Sequence, residues 1–257
     1  NPPMYIVHAG DASKSFAEVE KITAFLLEHH ASRKSCIIGI GGGMVTDLAG
    51  FTASVFMRGV PCVLIPTSLL AMVDAAIGGK TAINSAGTKN IIGTITHPRA
   101  IIIDVDLALT LPKNQFAQGL TEVIKIAAVR DEEFFCWLEK NLSNILLRDG
   151  AAVTTCITRS VELKKKIVEE DERELFVRMF LNFGHTVGHA VEACSQYQLS
   201  HGEAISIGMA LELAMTNCSD SERITSLLMK LAMPLSIPSF LDPEELWKHM
   251  QNDKKNT

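Results

Sequence analysis

Arg178, Asn182, His185, His189 and Glu192 recur at offsets of four, seven, eleven and fourteen, the spacing of one face of a helix. Two imidazoles, a carboxamide, a guanidinium and a carboxylate are metal-ligand, acid/base and anion-binding types. A face kept only for solubility would carry Lys, Glu and Gln instead. The opposite face reads Phe180, Phe183, Val187 and Val191, which is core material. Gly184 and Gly188 fall inside the same helical reading, where each costs about 1 kcal/mol against Ala. Their presence predicts that something approaches this backbone closely. An exposed amphipathic helix with incidental histidines is the competing reading, and the stretch alone does not separate the two.

Other residues could contribute chemistry. In the helical pattern Asn114–Arg130, Phe116, Leu120, Val123 and Ala127 share one face, and Glu122 and Lys125 lie together on another. An i,i+3 surface ion pair, worth little, is the favoured reading of that pair on spacing alone. A carboxylate held inward for a metal is the alternative. In Val153–Val168 the apolar stripe runs Val153, Ile157, Ser160/Val161, Lys164 and Val168, with Lys165 and Lys166 turned away. A lysine on such a stripe needs an anion or a wet cavity, although it can also snorkel to water. His201 opens a segment, Ala204–Met215, that is apolar on nearly every side. Glu122, His185 and His201 would together offer one carboxylate and two imidazoles, a three-ligand set that leaves a position open as catalytic zinc requires. Spacing does not bring the three together.

The elements that must position these residues fall into two kinds. Met4–His8 reads as a short strand and Ser13–His30 as a helix. The continuous apolar run Cys36–Ile40 reads as a strand broken by Gly41-Gly42-Gly43, with a helix through Asp47, Leu48, Phe51 and Val55 behind it. Strand, glycine turn and helix is a phosphate-binding layout, although the run is not G-x-G-x-x-G and could be a turn needing positive φ. Pro61–Pro66 and Ala100–Ile103 are further strand-like runs, and loop signals dominate Gly78–Gly93. Unbroken apolar strands alternating with helices predict a parallel sheet covered on both faces. From Lys113 to Lys230 everything reads as helix, which places a boundary at Pro112: an α/β domain over 1–112 and a helical domain over 113–257.

Composition excludes several classes. A 257-residue chain with 47% hydrophobic and 21% charged residues has the makings of a sizeable core. The formal charge of −5, without a basic stripe, gives no reason to expect nucleic acid. No run approaches a membrane span and no signal peptide opens the chain. Asn1-Pro2-Pro3 leading straight into a strand-like run suggests a fragment. Among six cysteines, those at 36, 62, 156 and 194 sit among apolar residues. They read as reduced, buried thiols of a cytoplasmic protein.

Several segments together resemble the 3-dehydroquinate synthase family. They are G-G-G-M-V-T-D-L-A-G-F (41–51), M-R-G-V-P (57–61), P-T-S-L-L-A-M-V-D (66–74), I-G-G-K-T-A-I-N (77–84) and G-T-K-N (87–90). L-T-E-V-I-K (120–125), D-E-R-E (171–174), N-F-G-H-T-V-G-H-A-V-E (182–192) and H-G-E-A (201–204) continue the match in register. The resemblance implies a Rossmann-like parallel-sheet NAD domain followed by an all-helical metal-binding domain, with part of the family's N-terminal NAD segment absent. It implies an NAD- and metal-dependent lyase of the shikimate pathway. The phosphorylated sugar acid 3-deoxy-D-arabino-heptulosonate 7-phosphate would be converted to 3-dehydroquinate and phosphate. Transient oxidation at C5, phosphate elimination, re-reduction and intramolecular aldol closure are the implied steps. A cytoplasmic homodimer is a further expectation, with no membrane or nucleic-acid partner.

By the same resemblance, Glu122, His185 and His201 match the metal ligands, for Zn2+ or alternatively Co2+. Gly42, Gly43, Met44, Val45, Thr46 and Asp47 match the turn under the NAD pyrophosphate. Thr67, Ser68, Asp74, Lys80, Lys89, Leu107, Ala108, Leu109 and Thr110 match further NAD contacts. Arg58, Lys80, Asn90, Lys125, Lys164, Arg178, Asn182, His189, Lys254 and Lys255 match residues around the substrate. Ala75-Ala76 and Ser68 depart mildly from the family pattern. Another sugar-phosphate cyclase is one alternative, although Asn90, Arg178, Asn182 and His189 follow the dehydroquinate pattern. A metal-dependent polyol dehydrogenase of related fold is the other, and it has no use for so many cations around a phosphorylated acid.

Overall fold

The computed structural model describes residues 2–196, 198–216 and 218–251. The chain divides into two compact units, Asn1–Thr110 and Leu111–Thr257. The first is α/β and carries a parallel sheet; among the described residues the elements of the second are all helices.

In the first unit, helix α1 (Phe16–Glu28) starts at Ser15, whose hydroxyl accepts from Glu18 N at 3.3 Å. Strand β1 (Ile37–Gly41) runs into helix α2 (Gly43–Val55), followed by β2 (Cys62–Pro66), β3 (Lys80–Ser85), β4 (Thr88–Ile95), β5 (Ala100–Ile101) and the short helix α3 (Val105–Leu109). The parallel sheet has the order β1-β2-β5, with Gly39 opposite Leu64 and Val63 opposite Ala100. One face packs Cys62 and Leu64 against Ala53 and Phe56. The other leaves Ile38 at 56% and Ile40 at 61% exposed, so the sheet is not covered on both faces as the apolar runs predict. A continuous apolar run shows that both faces of a strand suit burial; it does not show that this chain supplies both covers.

Two segments differ from their sequence readings. Gly78–Gly93 is not loop: β3 and β4 pair antiparallel, Lys80 against Ile95 and Ile83 against Ile92. The turn residues Ala86 (φ 50°) and Gly87 (φ 75°) are both left-handed, as a two-residue hairpin of this hand needs. Ala-Gly hides that turn better than Asn-Gly would. Met4–His8 forms no strand; Tyr5 instead donates its hydroxyl to Glu18 at 2.9 Å and sets its ring against Phe25. The hairpin is tied to α2 by a hydroxyl chain. Thr81 Oγ1 lies 3.0 Å from Thr94 Oγ1, which donates to Ser54 Oγ at 2.8 Å.

The second unit contains α4 (Lys113–Arg130), α5 (Glu132–Leu146), α6 (Gly150–Glu170), α7 (His185–Cys194), α8 (His201–Met215), α9 (Ser221–Lys230) and α10 (Pro243–Gln251). Carboxylates start two of them: Asp131 Oδ1 accepts from Phe134 N and Asp149 Oδ1 from Ala152 N, each at 2.8 Å. Helix α4 buries an almost unbroken run from Phe116 to Ala127, including Glu122 and Lys125. Helix α8 is buried from Ala204 to Met209, as its apolar composition predicts. Val187, Ala190 and Val191 of α7 join Ala204 and Ile207 of α8 and Leu246 of α10 in one apolar cluster.

Candidate active site

The stretch Arg178–Glu192 is not one helix. Val177–Asn182 is a 3-10 turn, and Gly184 takes a left-handed φ of 75° before α7 begins at His185. Gly184 N donates to Glu212 Oε2 at 2.9 Å instead of continuing a helical ladder. The offsets therefore set His185, His189 and Glu192 on one face of α7, while Arg178 and Asn182 belong to the preceding turn. Phe180 is exposed, whereas Val187 and Val191 are core. The glycines do mark a close approach. A Cβ on Gly188 would stand 2.6 Å from Ile205 Cδ1, and one on Gly208 would stand 1.9 Å from Gly184 O. Helices α7 and α8 thus meet backbone to backbone, which brings the start of each helix to the other.

That contact assembles the metal set. His185 and His201 are the first residues of α7 and α8, and Glu122 lies in mid α4. Their ligand atoms all fall within 4.8 Å of one another. Glu122 Oε1 is 3.3 Å from His201 Nε2 and 3.8 Å from His185 Nε2. His185 Nδ1 lies 3.1 Å from Phe183 O, an atom that can only accept, so Nδ1 carries the proton and Nε2 faces the carboxylate. His201 Nδ1 lies 3.3 Å from Glu192 Oε2. Burial opposes a charge on His201, but hydrogen bonds to Glu122 and Glu192 outweigh it and raise its pKa to about 10. Two imidazole nitrogens and one carboxylate oxygen, all preorganised, are the donor chemistry of a catalytic zinc site with an open position. The residues fit a divalent metal.

Glu122 and Lys125 do not form the surface pair that spacing favours. Each is only 2% exposed, and Lys125 Nζ pairs with Glu122 Oε2. Lys164 is 6% exposed on the apolar side of α6, while Lys165 and Lys166 face out. Arg178 is buried, and its Nη1 donates to Glu172 O at 2.6 Å. His189 sets its ring edge-on to that of His185, with centroids 5.3 Å apart. Asn182 ends the 3-10 turn, part-buried. Lys254 and Lys255 lie outside the described residues.

In the first unit, the glycine turn 41–43 has no positive φ among its glycines. What these positions need is room: a Cβ on Gly41 would stand 2.6 Å from the Val45 side chain, and one on Gly43 3.2 Å from Ala75 Cβ. The first-turn N–H groups of α2, Gly43 to Thr46, follow directly, and Gly42 caps the helix without a side chain. A helix start bare of side chains behind a parallel strand is an anion cradle, so the residues present fit a dinucleotide. Thr67 N binds Gly41 O at 2.8 Å, which sets Ser68 beside the turn. Asp74 sits in the π-helical turn Ala71–Ala75, and Lys80 is exposed at the start of β3. Lys89 Nζ pairs with Asp11 Oδ2 at 3.0 Å. Arg58 and Asn90 hold left-handed φ values of 66° and 53°, a strain that persists only where the surroundings over-determine it. Leu107–Thr110 closes α3, whose start is capped by Asp104.

Two residues here escape the sequence reading. Lys14, 4% exposed, reaches Asp47 Oδ2 at 2.5 Å and also pairs with Asn90 Oδ1, so one buried ammonium joins two candidate-site positions. Asp171 is buried, and its carboxylate accepts from Leu175 N (2.9 Å), Phe176 N (2.7 Å) and Arg178 N (3.1 Å). Burial alone would raise its pKa, but these backbone donors hold it below the ordinary value. Lys14 falls in the first turn of the helical reading Ser13–His30 with nothing to mark it, and only the D-E-R-E match drew attention to Asp171. Of the four cysteines read as buried, Cys36 is exposed and Cys194 half-buried. Burial pushes Cys62 to about 11 and Cys156 to about 12, so both stay thiols.

Comparison with known proteins covers both units. Residues 4–118 match the family model described as 3-dehydroquinate synthase N-terminal, and residues 119–256 the one described as 3-dehydroquinate synthase C-terminal. The 3-dehydroquinate synthase of Pseudoalteromonas translucida is 42% identical over 100% of this chain and 74% of its own length. That of Xanthomonas oryzae pv. oryzae (strain MAFF 311018) is 44% identical over 98% and 71%. Among solved structures, a 2-epi-5-epi-valiolone synthase from Streptomyces hygroscopicus with NAD+ and Zn2+ bound matches with TM-score 0.88 and 28% identity, over 96% of this chain and 71% of that one. A 2-deoxy-scyllo-inosose synthase complexed with carbaglucose-6-phosphate, NAD+ and Co2+ matches with TM-score 0.87 and 26% identity, over 96% and 69%. A glycerol dehydrogenase from Schizosaccharomyces pombe, at 17% identity, shares the fold alone. With both family models matched and curated members 42% and 44% identical along its length, this chain belongs to the 3-dehydroquinate synthase family.

Proposed function

We propose that this chain is a 3-dehydroquinate synthase, converting 3-deoxy-D-arabino-heptulosonate 7-phosphate to 3-dehydroquinate and phosphate. The observation that carries the reading is the Glu122–His185–His201 set, buried at Glu122 and His185, half-buried at His201 and with Lys125 paired into it, in a chain that matches this family from 4 to 256. A divalent cation held by those three residues supplies Lewis-acid polarisation of substrate hydroxyls, and NAD held by the Gly42–Asp47 turn supplies a transient hydride acceptor.

The remaining work falls to the chain's own side chains. Thr67, Ser68, Asp74, Lys80, Lys89 and Leu107–Thr110 complete the dinucleotide site in this reading. Lys164 lies buried on the apolar side of α6, and by the family resemblance it binds a substrate phosphate or carboxylate. Arg178, pre-oriented by the Glu172 carbonyl, offers the planar fork that suits such an anion. Lys125 neutralises the carboxylate beside it and holds a second cation in the same region. His189, one turn past His185, is set to move a proton at a substrate hydroxyl, with Asn182 donating nearby. Arg58, Lys80, Asn90, Lys254 and Lys255 are further substrate residues by the family resemblance alone.

Because so many cations serve a phosphorylated acid, the dianionic phosphate can itself accept the proton that must leave, and the protein mainly positions it. The reading carries a cytoplasmic homodimer with it, on the family resemblance; no helix among the described residues is long and apolar enough to cross a membrane. The test is product identification with the heptulosonate phosphate against phosphorylated sugars lacking a carboxylate. Formation of 3-dehydroquinate from the former supports the proposal. Turnover only of the latter assigns the chain to another cyclase.

A further inference from the structure

The metal set contains two histidines, and the fold orients them by different means. His185 turns Nδ1 to the carbonyl of Phe183, two residues back on its own chain. His201 instead turns Nδ1 to the carboxylate of Glu192, on the neighbouring helix, at 3.3 Å. Its Nε2 is 3.3 Å from Glu122 Oε1. One imidazole thus spans two carboxylates, one at each ring nitrogen.

Glu192 stands where a carboxylate is costly. It is 6% exposed and lies in the last turn of α7, where the helix dipole disfavours an anion. Its neighbours Val191 and Ala190 belong to the apolar cluster between α7 and α8. A glutamine or an apolar residue would sit there more cheaply. A buried anion at an unfavourable helix end, aimed at a ring nitrogen, calls for a role that only a strong acceptor fills.

We propose that Glu192 is a positioning residue for the metal centre, whose carboxylate holds the proton of His201 on Nδ1 and so presents Nε2 to the cation. A ring fixed this way cannot flip or swap tautomer when the metal arrives. Helix α7 then supplies both a ligand, His185, and the support for the ligand on α8, and the close glycine contact between the helices keeps Glu192 and His201 in register. The inference rests on the metal site of the proposed function.

The test compares wild type, Glu192→Gln and Glu192→Ala, each stripped of metal and shown folded by circular dichroism. Zn2+ affinity is measured by competition with a chromophoric chelator, and the Co2+ protein is examined by its visible absorption bands. Glu192→Ala is expected to bind Zn2+ about 10- to 100-fold more weakly, the range for losing such a support, with shifted Co2+ bands. Glu192→Gln keeps an accepting oxygen, so its bands stay near wild type while affinity falls by about 10-fold, the low end of that range. If Glu192→Ala does not fold, the Gln variant decides: wild-type affinity there overturns the inference. Folded Glu192→Ala with wild-type affinity and spectrum overturns it as well. A wild-type protein that binds neither Zn2+ nor Co2+ defeats the functional proposal instead, so the two failures are distinct.

Discussion

Nε2 of His201 stands 3.3 Å from Oε1 of Glu122, although one residue opens α8 and the other lies in the middle of α4. The two meet because α4 is buried on every side around Glu122, from Gly119 to Ala127, and α8 is buried along most of its length. Glu122→Gln, close in volume but neutral, removes the anionic ligand. Metal analysis after dialysis should show about one Zn2+ per wild-type chain and affinity lower by at least about 100-fold in the variant, the scale on which ligand losses exceed losses of supporting contacts. A variant that keeps stoichiometric, tight Zn2+ would rule out the assigned ligand set.

Lys164 is the buried member of three consecutive lysines. Lys164→Met keeps most of the stem and removes the ammonium, and should lower turnover by roughly 10²–10³, the scale of losing one preorganised donor. Lys165→Met and Lys166→Met, on the exposed side of α6, should stay near wild type. Steady-state rates of the three variants decide the matter. Equal losses in all three, or none at Lys164, would contradict the role given to it.

The closeness of α7 and α8 depends on Gly208, where an added Cβ would stand 1.9 Å from Gly184 O. Backbone atoms cannot swing aside, so Gly208→Ala must push the helices apart. Overpacking of this kind costs about 1–3 kcal/mol and sometimes more. Urea unfolding should show that loss, with Zn2+ affinity falling in parallel because His185 opens α7 and His201 opens α8. Gly150→Ala, at the start of α6 with nothing near its Cβ, is the control and should leave both unchanged.

Much of this was readable in the residues because each part is local. Lys164 on its stripe and the apolar α8 are legible within one element, and their burial agrees; Cys36–Ile40 and Pro61–Pro66 are strand-like runs that do form strands, although Ile38 and Ile40 stay exposed. What periodicity cannot show is where a break falls. Gly184 has the same letter whether it sits inside a helix at a cost or, as here, takes φ 75° and starts a new one. Nor does spacing distinguish Glu122 and Lys125 on a wet surface from the same pair in a packed helix, because i,i+3 geometry is identical in both. Lys14 was invisible for a further reason: its partners Asp47 and Asn90 are brought to it by tertiary packing of α2 and the β3–β4 hairpin.

Asp171 yields a pH dependence of definite sign. Its folded pKa lies below the ordinary 3.8, with burial raising it and the backbone donors of Leu175, Phe176 and Arg178 lowering it more. A depressed carboxylate contributes stability above its unfolded pKa and loses it as pH falls through the folded value. Asp171→Asn should therefore lower the urea midpoint at pH 7 and pH 5 alike. The gap from wild type should shrink as pH drops below 3.8. A gap that stays constant down to the acid limit would show that the carboxylate charge is not what holds the turn before Arg178.

The redox balance of one turnover experiment separates a cyclase that recycles its hydride from a dehydrogenase. Purified protein is supplied with Zn2+, the heptulosonate phosphate and NAD+ at a small fraction of the substrate concentration, while phosphate and NADH absorbance are followed together. Many phosphates should be released per NAD+ present, with 3-dehydroquinate as product and no net NADH, because the hydride returns within each cycle. Stoichiometric NADH accumulation, or phosphate release that stops when the NAD+ has been used once, would contradict it.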